Sequence, residues 1–372
     1  MLHSVTLPES SAPSDMQALR YSFTDAIAST GPPSYLPDVE FSPSGHVFAV
    51  TERDRNRVRV YDSRSRALLR DYEGAASGLD YPHGLALTDT HLVVSSAARR
   101  RDAETFLSSF ALQDESPLPV ARVTTPRPDL REPHSLALVD DFLYCTYCEG
   151  ERNGLAVFPF DQHTGGIGAC CQFVGDCFDG LGEPKGVAHD HRRQRLLVSF
   201  VAEKHVALSF SNVRQKLLRK WRSARGPVDL LRRFARAGAR RLARDDAGGA
   251  VRNGIMAFRF AAGGGVEPEP DSVLESPAYV RLENIDVRGD RLAIADPVNN
   301  RVTLYDLADA DLAQPLLRLT EAMAFPHDVA IAPDGETLLV ANYGIGVHEG
   351  EVLWNCYDDA RLDRVVVLGA AA

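Results

Sequence analysis

The sequence predicts an all-β chain, a six-bladed β-propeller with a basic helical insertion in blade four, and three observations predict it. A short text recurs: Tyr81-Pro82-His83-Gly84-Leu85-Ala86-Leu87, then Glu132-Pro133-His134-Ser135-Leu136-Ala137-Leu138, then Phe325-Pro326-His327-Asp328-Val329-Ala330-Ile331. Each copy opens a unit of four short apolar runs separated by turn residues, and four-stranded units repeating every 40 to 50 residues or so are how propeller blades are written. Between these runs the 3.6-residue rhythm of a doubly wound fold is missing.

Residues 1–34, rich in Ser and Pro, read as an N-terminal arm, and 35–372 as the propeller. Blade one runs from Leu36 through Val47–Val50, Arg57–Tyr61 and Ala67–Arg70. Further blades start at Pro82, Pro133, Pro184, Glu283 and Pro326, and the last is expected to end with strands at Val352–Tyr357 and Arg364–Leu368. Blade four is long. Its third strand, Asn253-Gly254-Ile255-Met256-Ala257-Phe258, repeats the type of Asn153-Gly154-Leu155-Ala156-Val157-Phe158 in blade three, so residues of about 205–252 are an insertion. Within it Val213, Leu217, Trp221 and Leu231, Phe234, Leu242 fall at helical spacing, broken by Gly226-Pro227.

Charge separates the insertion from the body. Between Val213 and Arg244 twelve Lys/Arg against one acid give +11, and a whole-chain charge of −10 leaves −21 elsewhere. A basic helical appendage on an acidic body suits packing on that body, or docking to an acidic protein partner or a membrane surface, and the acidic remainder argues against nucleic acid. No apolar run approaches the ~20 residues of a membrane span, and the N-terminus lacks a basic region followed by an apolar one, so a cytoplasmic, unprocessed chain without a transmembrane segment is expected. Five of six cysteines (Cys145, Cys148, Cys170, Cys171, Cys177, with Cys356 apart) crowd into one third of the chain and read as reduced thiols.

Innermost strands line a propeller's axis, so residues at their starts form a ring at one channel mouth. The six equivalent positions read as Asp38, His83, His134, Lys185, Asn284 and His327. Converging neutral imidazoles suit a divalent metal with positions left for water or substrate. The same repeat also reads as a strand-starting turn with each ring bonded to neighbouring backbone. Loops after the second strands add Glu52, Arg53, Tyr147, Asp296, Asn342, Tyr343 and His348. Of these, Arg53 suits a substrate carboxylate, which a guanidinium grips with two bonds.

The Pro-His-Gly-Leu, Pro-His-Ser-Leu-Ala-Leu-Val and Pro-His-Asp-Val texts resemble those of the lyase domain of the peptidylglycine amidating enzyme, a six-bladed propeller of the wider NHL type. That resemblance implies a zinc ion held by His83, His134 and His327, with Arg53 and Tyr147 as catalytic residues; Lys185 is a further candidate from the ring. Leu338-Leu339-Val340-Ala341-Asn342-Tyr343-Gly344 and Asn153–Asp161 are similar instead to lactonases of the 6-phosphogluconolactonase type. Both imply chemistry at the same channel end. The function expected is a metal-dependent lyase or hydrolase acting on a small molecule. The alternative is a non-catalytic scaffold that binds a protein through its rim and basic helices.

Overall fold

The computed structural model describes residues 4–6, 20–27, 35–98, 103–148, 152–178, 182–201, 253–275, 279, 281–308, 315–320, 323–343, 346–348, 351–353 and 361–368. Six antiparallel blades follow one another round an axis. From the axis outward, blade one comprises Val39–Phe41, Val47–Glu52, Arg57–Asp62 and Leu68–Glu73, and blade two Pro82–Leu87, His91–Ser96, Phe106–Ala111 and Ala121–Thr124. Blade three comprises Pro133–Val139, Phe142–Tyr147, Gly154–Asp161 and Gln172–Val174, with Gly166–Ile167 pairing the far end of its third strand. Blade four comprises Glu183–Asp190, Arg195–Val201, Asn253–Arg259 and Ser272–Glu275, and blade five Ile285–Arg288, Arg291–Asp296, Arg301–Asp306 and Leu317–Leu319.

Blade six departs from expectation. Its two inner strands, Pro326–Ile331 and Thr337–Asn342, are followed by Arg361–Leu368 as third strand, and Arg20–Ile27 supplies the fourth. Of the strand expected at Val352–Tyr357, only Val352 and Leu353 are described, and they belong to a short hairpin, Gly346–His348 with Glu351–Leu353. The supposed N-terminal arm thus contributes two strands, since Ser4–Thr6 also adds in parallel to the edge of blade four. Closing the last blade with a strand from the other end of the chain lets backbone pairing, rather than side-chain packing alone, resist opening of the ring.

Apolar side chains on both faces of each blade pack against the next. Among the described residues six buried clusters form, each drawn from two neighbouring blades, including Leu85 and Val94 with Val58 and Tyr72 between blades two and one, and Val39 and Phe48 with Leu339 and Leu362 between blades one and six. Val201 and Asn253 pair at the ends of the second and third strands of blade four; the insertion expected between them, with its helices, lies outside the described residues. No described helix is long and apolar enough to cross a membrane.

The inner strands begin with a break in pairing, and this break positions the site. Register shifts fall between Pro82 and Leu85, Pro133 and Leu136, Pro184 and Val187, and Pro326 and Asp328. Backbone groups freed there must find other partners. Hydroxyls on the second strands supply them: Ser95 Oγ accepts from Gly84 N–H and donates to Pro133 O, Thr146 Oγ1 accepts from Ser135 N–H and donates to Lys185 O, and Ser199 Oγ accepts from Gly186 N–H and donates to Glu283 O. Each hydroxyl therefore mends its own strand and ties it to the next blade. A second set runs from inner strand to inner strand, with Asp38 accepting from Leu85 N–H, Ser135 from Val187 N–H, Asp286 from Ile331 N–H and Asp328 from Val39 N–H.

Candidate metal centre

Tyr81, Glu132 and Phe325, each just before a Pro-His pair, have φ of 59°, 44° and 61°. Left-handed backbone at a bulky residue stores strain, and its recurrence at three equivalent points marks a turn that the surrounding structure enforces. That turn delivers His83, His134 and His327 to the axis. Their rings lie 4.1, 5.3 and 5.5 Å apart between centroids, and one nitrogen from each falls within 4.8 Å of the others. All three are buried.

The tautomers follow from the backbone. Nδ1 of His83 lies 3.0 Å from His134 O, and Nδ1 of His327 lies 2.7 Å from Pro37 O. A carbonyl only accepts, so each Nδ1 carries the proton and each Nε2 presents a lone pair. Burial, then the neighbouring His134 and Arg53, hold His83 well below the usual histidine range. Burial lowers His327 to about 3 despite the nearby Glu283, and burial also lowers His134. The rings are neutral, as a metal ligand requires.

Glu283 completes the group. Its Oε2 is buried and lies 3.5 Å from His134 Nε2 and 3.6 Å from His327 Nε2, where the His134 side chain lends it a long hydrogen bond. Burial opposes its ionisation, but Arg281, whose Nε bonds Oε1, together with Lys185 holds it well below the usual carboxylate range. A carboxylate oxygen therefore faces the bare lone pair of His327 Nε2. Two acceptors turned on each other in a dry site repel, and a cation between them removes the repulsion. Ligands at the 2.0 to 2.2 Å typical of zinc stand about 3.4 Å apart round a tetrahedron, close to the 3.5 and 3.6 Å that separate Glu283 Oε2 from His134 and His327 and shorter than the 4.8 Å within which the three nitrogens lie. The residues fit a divalent ion.

The predicted site residues divide. Lys185 lies in the ring, its Nζ 3.3 Å from Glu183 Oε2 and 3.4 Å from Cys148 Sγ. Burial works against its charge, yet Cys148, Glu183 and Glu283 keep it protonated well above the usual lysine range. Arg53 is buried at the same end, held by Glu132 at 2.5 Å and lying 3.9 Å over the Tyr81 ring. Asp38 and Asn284 sit one residue past the ring. The stitches align Asp38 with Gly84, Ser135 and Gly186, and Asn284 likewise through its carbonyl bond to Ala295 N–H, so the true ring members of blades one and five are Pro37 and Glu283. Counting back two residues from the first inward apolar residue (Val39, Leu85, Leu136, Val187, Ile285, Val329) finds all six in the sequence.

Tyr147 does not face the centre. Strand alternation turns it into the apolar layer between blades two and three with Leu143, Phe158 and Phe160, where burial raises its pKa well above the usual range. The neighbouring residue, Cys148, faces the ring instead. In blade six the matching position holds Tyr343, stacked on His327 at 4.0 Å and on Tyr35 at 3.5 Å. Glu52, Asp296 and Asn342 are tied up locally, by Arg57, Arg301 and Asp363 respectively.

No known family profile matches the sequence, and no curated protein matches it. Solved structures do resemble it. A gluconolactonase, XC5397 from Xanthomonas campestris, superposes with a TM-score of 0.53 at 13% identity over 90% of this chain and 86% of its own. A luciferin-regenerating enzyme gives 0.53 at 9% over 94% and 96%, and the β-propeller domain of Cps50 (Swd1) from Myceliophteria thermophila gives 0.52 at 10% over 94% and 100%. At such identities the likeness is one of fold, and the chain is an all-β six-bladed propeller.

Proposed function

We propose that this chain is a metal-dependent enzyme of small-molecule metabolism, a hydrolase or lyase, working at the channel end where the histidines meet. The observation that carries the reading is the bare Nε2 of His327 facing, at 3.6 Å in a buried site, a Glu283 oxygen that also lies 3.5 Å from His134 Nε2. His83, His134 and His327 would hold the ion, with Glu283 beside them. Bound there, a divalent metal supplies a Lewis acid that polarises a substrate oxygen or lowers the pKa of a water.

The chain's own groups do the rest. Carbonyls of His134 and Pro37 fix two imidazoles in the ligating tautomer. Arg281 and Lys185 keep Glu283 ionised, so its carboxylate is the group that would accept a proton from the reacting molecule. Arg53, whose Nε has no partner among the described residues, is the group for a substrate carboxylate, in competition with Glu132. Tyr147 has no part in this. The scaffold alternative rests on residues 205–252, outside the described residues.

Likeness in fold to a gluconolactonase makes lactones the first compounds to try. Hydrolysis of a lactone panel should be measured for metal-loaded and chelated protein and for His83→Ala. Turnover that needs the metal and is lost in the variant supports the reading. Turnover indifferent to chelator and variant would overturn it.

A further inference from the structure

Cys148 follows the second strand of blade three, at the position held by Arg53 in blade one and Tyr343 in blade six; in each case the backbone N–H bonds the carbonyl two residues before the ring position. Its sulfur lies 3.4 Å from Lys185 Nζ, and that nitrogen lies 3.3 Å from Glu183 Oε2. Cys148 is 0% exposed and Lys185 3%. A thiol, an amine and a carboxylate thus stand in contact beside the metal centre, and the chemistry proposed for that centre leaves the sulfur without a task. A sulfur so placed has a nitrogen within reach if it becomes electrophilic.

We infer that Cys148 and Lys185 are the two ends of an oxidation-driven covalent bridge, a sulfenamide joining Sγ to Nζ. The oxidant is a peroxide. Cys–SH and H2O2 give Cys–SOH and water, the O–O bond breaking as sulfur is oxidised by two electrons. Glu183 takes a proton from the Lys185 ammonium, and the freed amine attacks Sγ. The S–O bond breaks, and hydroxide leaves as water with a second proton from nitrogen. The product is Cys–S–NH–Lys, with two waters formed in all. A thiol reverses it by attack on sulfur.

The bridge removes the Lys185 ammonium from the ring that His134 and His327 share. Control of the metal centre by oxidation follows, and that consequence alone rests on the function proposed above.

The test is a peptide map of the full chain after brief hydrogen peroxide treatment, digested without reductant by a protease that does not cut at lysine. Expected is the Cys148 peptide joined to the Lys185 peptide, lighter than their sum by two hydrogens, released by dithiothreitol, and lost in Lys185→Arg. Cys148 remaining a thiol while the exposed Cys171 is oxidised in the same sample would overturn the inference. So would Cys148 passing to the sulfinic acid with Lys185 unlinked. Peptide mass does not depend on bound metal, so failure here is distinct from failure of the metal-centre reading.

Discussion

Replacing Thr146 by Val probes the stitch that joins strand, blade and site. Its Oγ1 accepts from Ser135 N–H at 3.0 Å and donates to Lys185 O at 2.6 Å. Both groups lie at register shifts, where the sheet offers no substitute. Valine matches threonine in shape, so no cavity forms and the cost is that of two buried backbone groups left unpaired. At about 1–3 kcal/mol each, and less for the carbonyl, the total is roughly 2–4 kcal/mol. Urea denaturation should show that fall with an unchanged m-value, and Thr146→Ser should restore most of it. Because Ser135 follows His134 and Lys185 is itself a ring member, metal affinity should fall in the valine variant as well. A loss below about 0.5 kcal/mol, within the range of ordinary surface substitutions, would refute the claim that these hydroxyls hold the blades together.

Gly84→Ala should destabilise by ~1–3 kcal/mol or more in thermal unfolding and weaken metal binding, because the new Cβ would stand 2.3 Å from the His134 carbonyl that fixes His83; wild-type stability would contradict this close approach. Asp38 is raised well above the carboxylate range by burial and then by Asp328, and burial raises Asp328 to about 7. The folded state thus keeps a proton that the unfolded chain releases near pH 4, so stability is full below about pH 4 and declines as pH rises toward 7, by about 1.4 kcal/mol per unit for one proton. Asp38→Asn, whose amide oxygen can still accept from Leu85 N–H, should flatten that decline in unfolding midpoints taken from pH 4 to 8; an unaltered slope would count against the pair. Tyr147→Phe should leave metal content unchanged and stability within about 1 kcal/mol, since the ring lies in the apolar layer between blades two and three, away from the histidines; lost metal or activity would return Tyr147 to the site.

The six blades were legible in the sequence because each repeats the same alternation and the same turn chemistry, and the three histidines were legible because proline marks each one. Glu283 was hidden for the opposite reason. Blade five replaces Pro-His by Leu282-Glu283, so an alignment on the proline slides by one residue, and a one-residue slip moves a side chain from the axis to the next layer. The same arithmetic misplaced Tyr147, whose neighbour Cys148 faces the ring. Closure of blade six by Arg20–Ile27 was not legible locally, because that strand's partner, Arg361–Leu368, lies at the other end of the chain. Nor did spacing reveal that Arg53 is already engaged by Glu132, a contact between blades one and three.

The most direct measurement of the central claim is metal stoichiometry by elemental analysis after reconstitution with zinc and exhaustive dialysis, for the wild type, His83→Ala, His134→Ala, His327→Ala and Glu283→Gln, with folding checked by circular dichroism. The account predicts about one ion per wild-type chain, and affinity reduced at least the 10- to 100-fold that loss of even an outer-shell partner costs in each variant. A folded wild type that retains no ion, or folded variants that retain as much as the wild type, would contradict it.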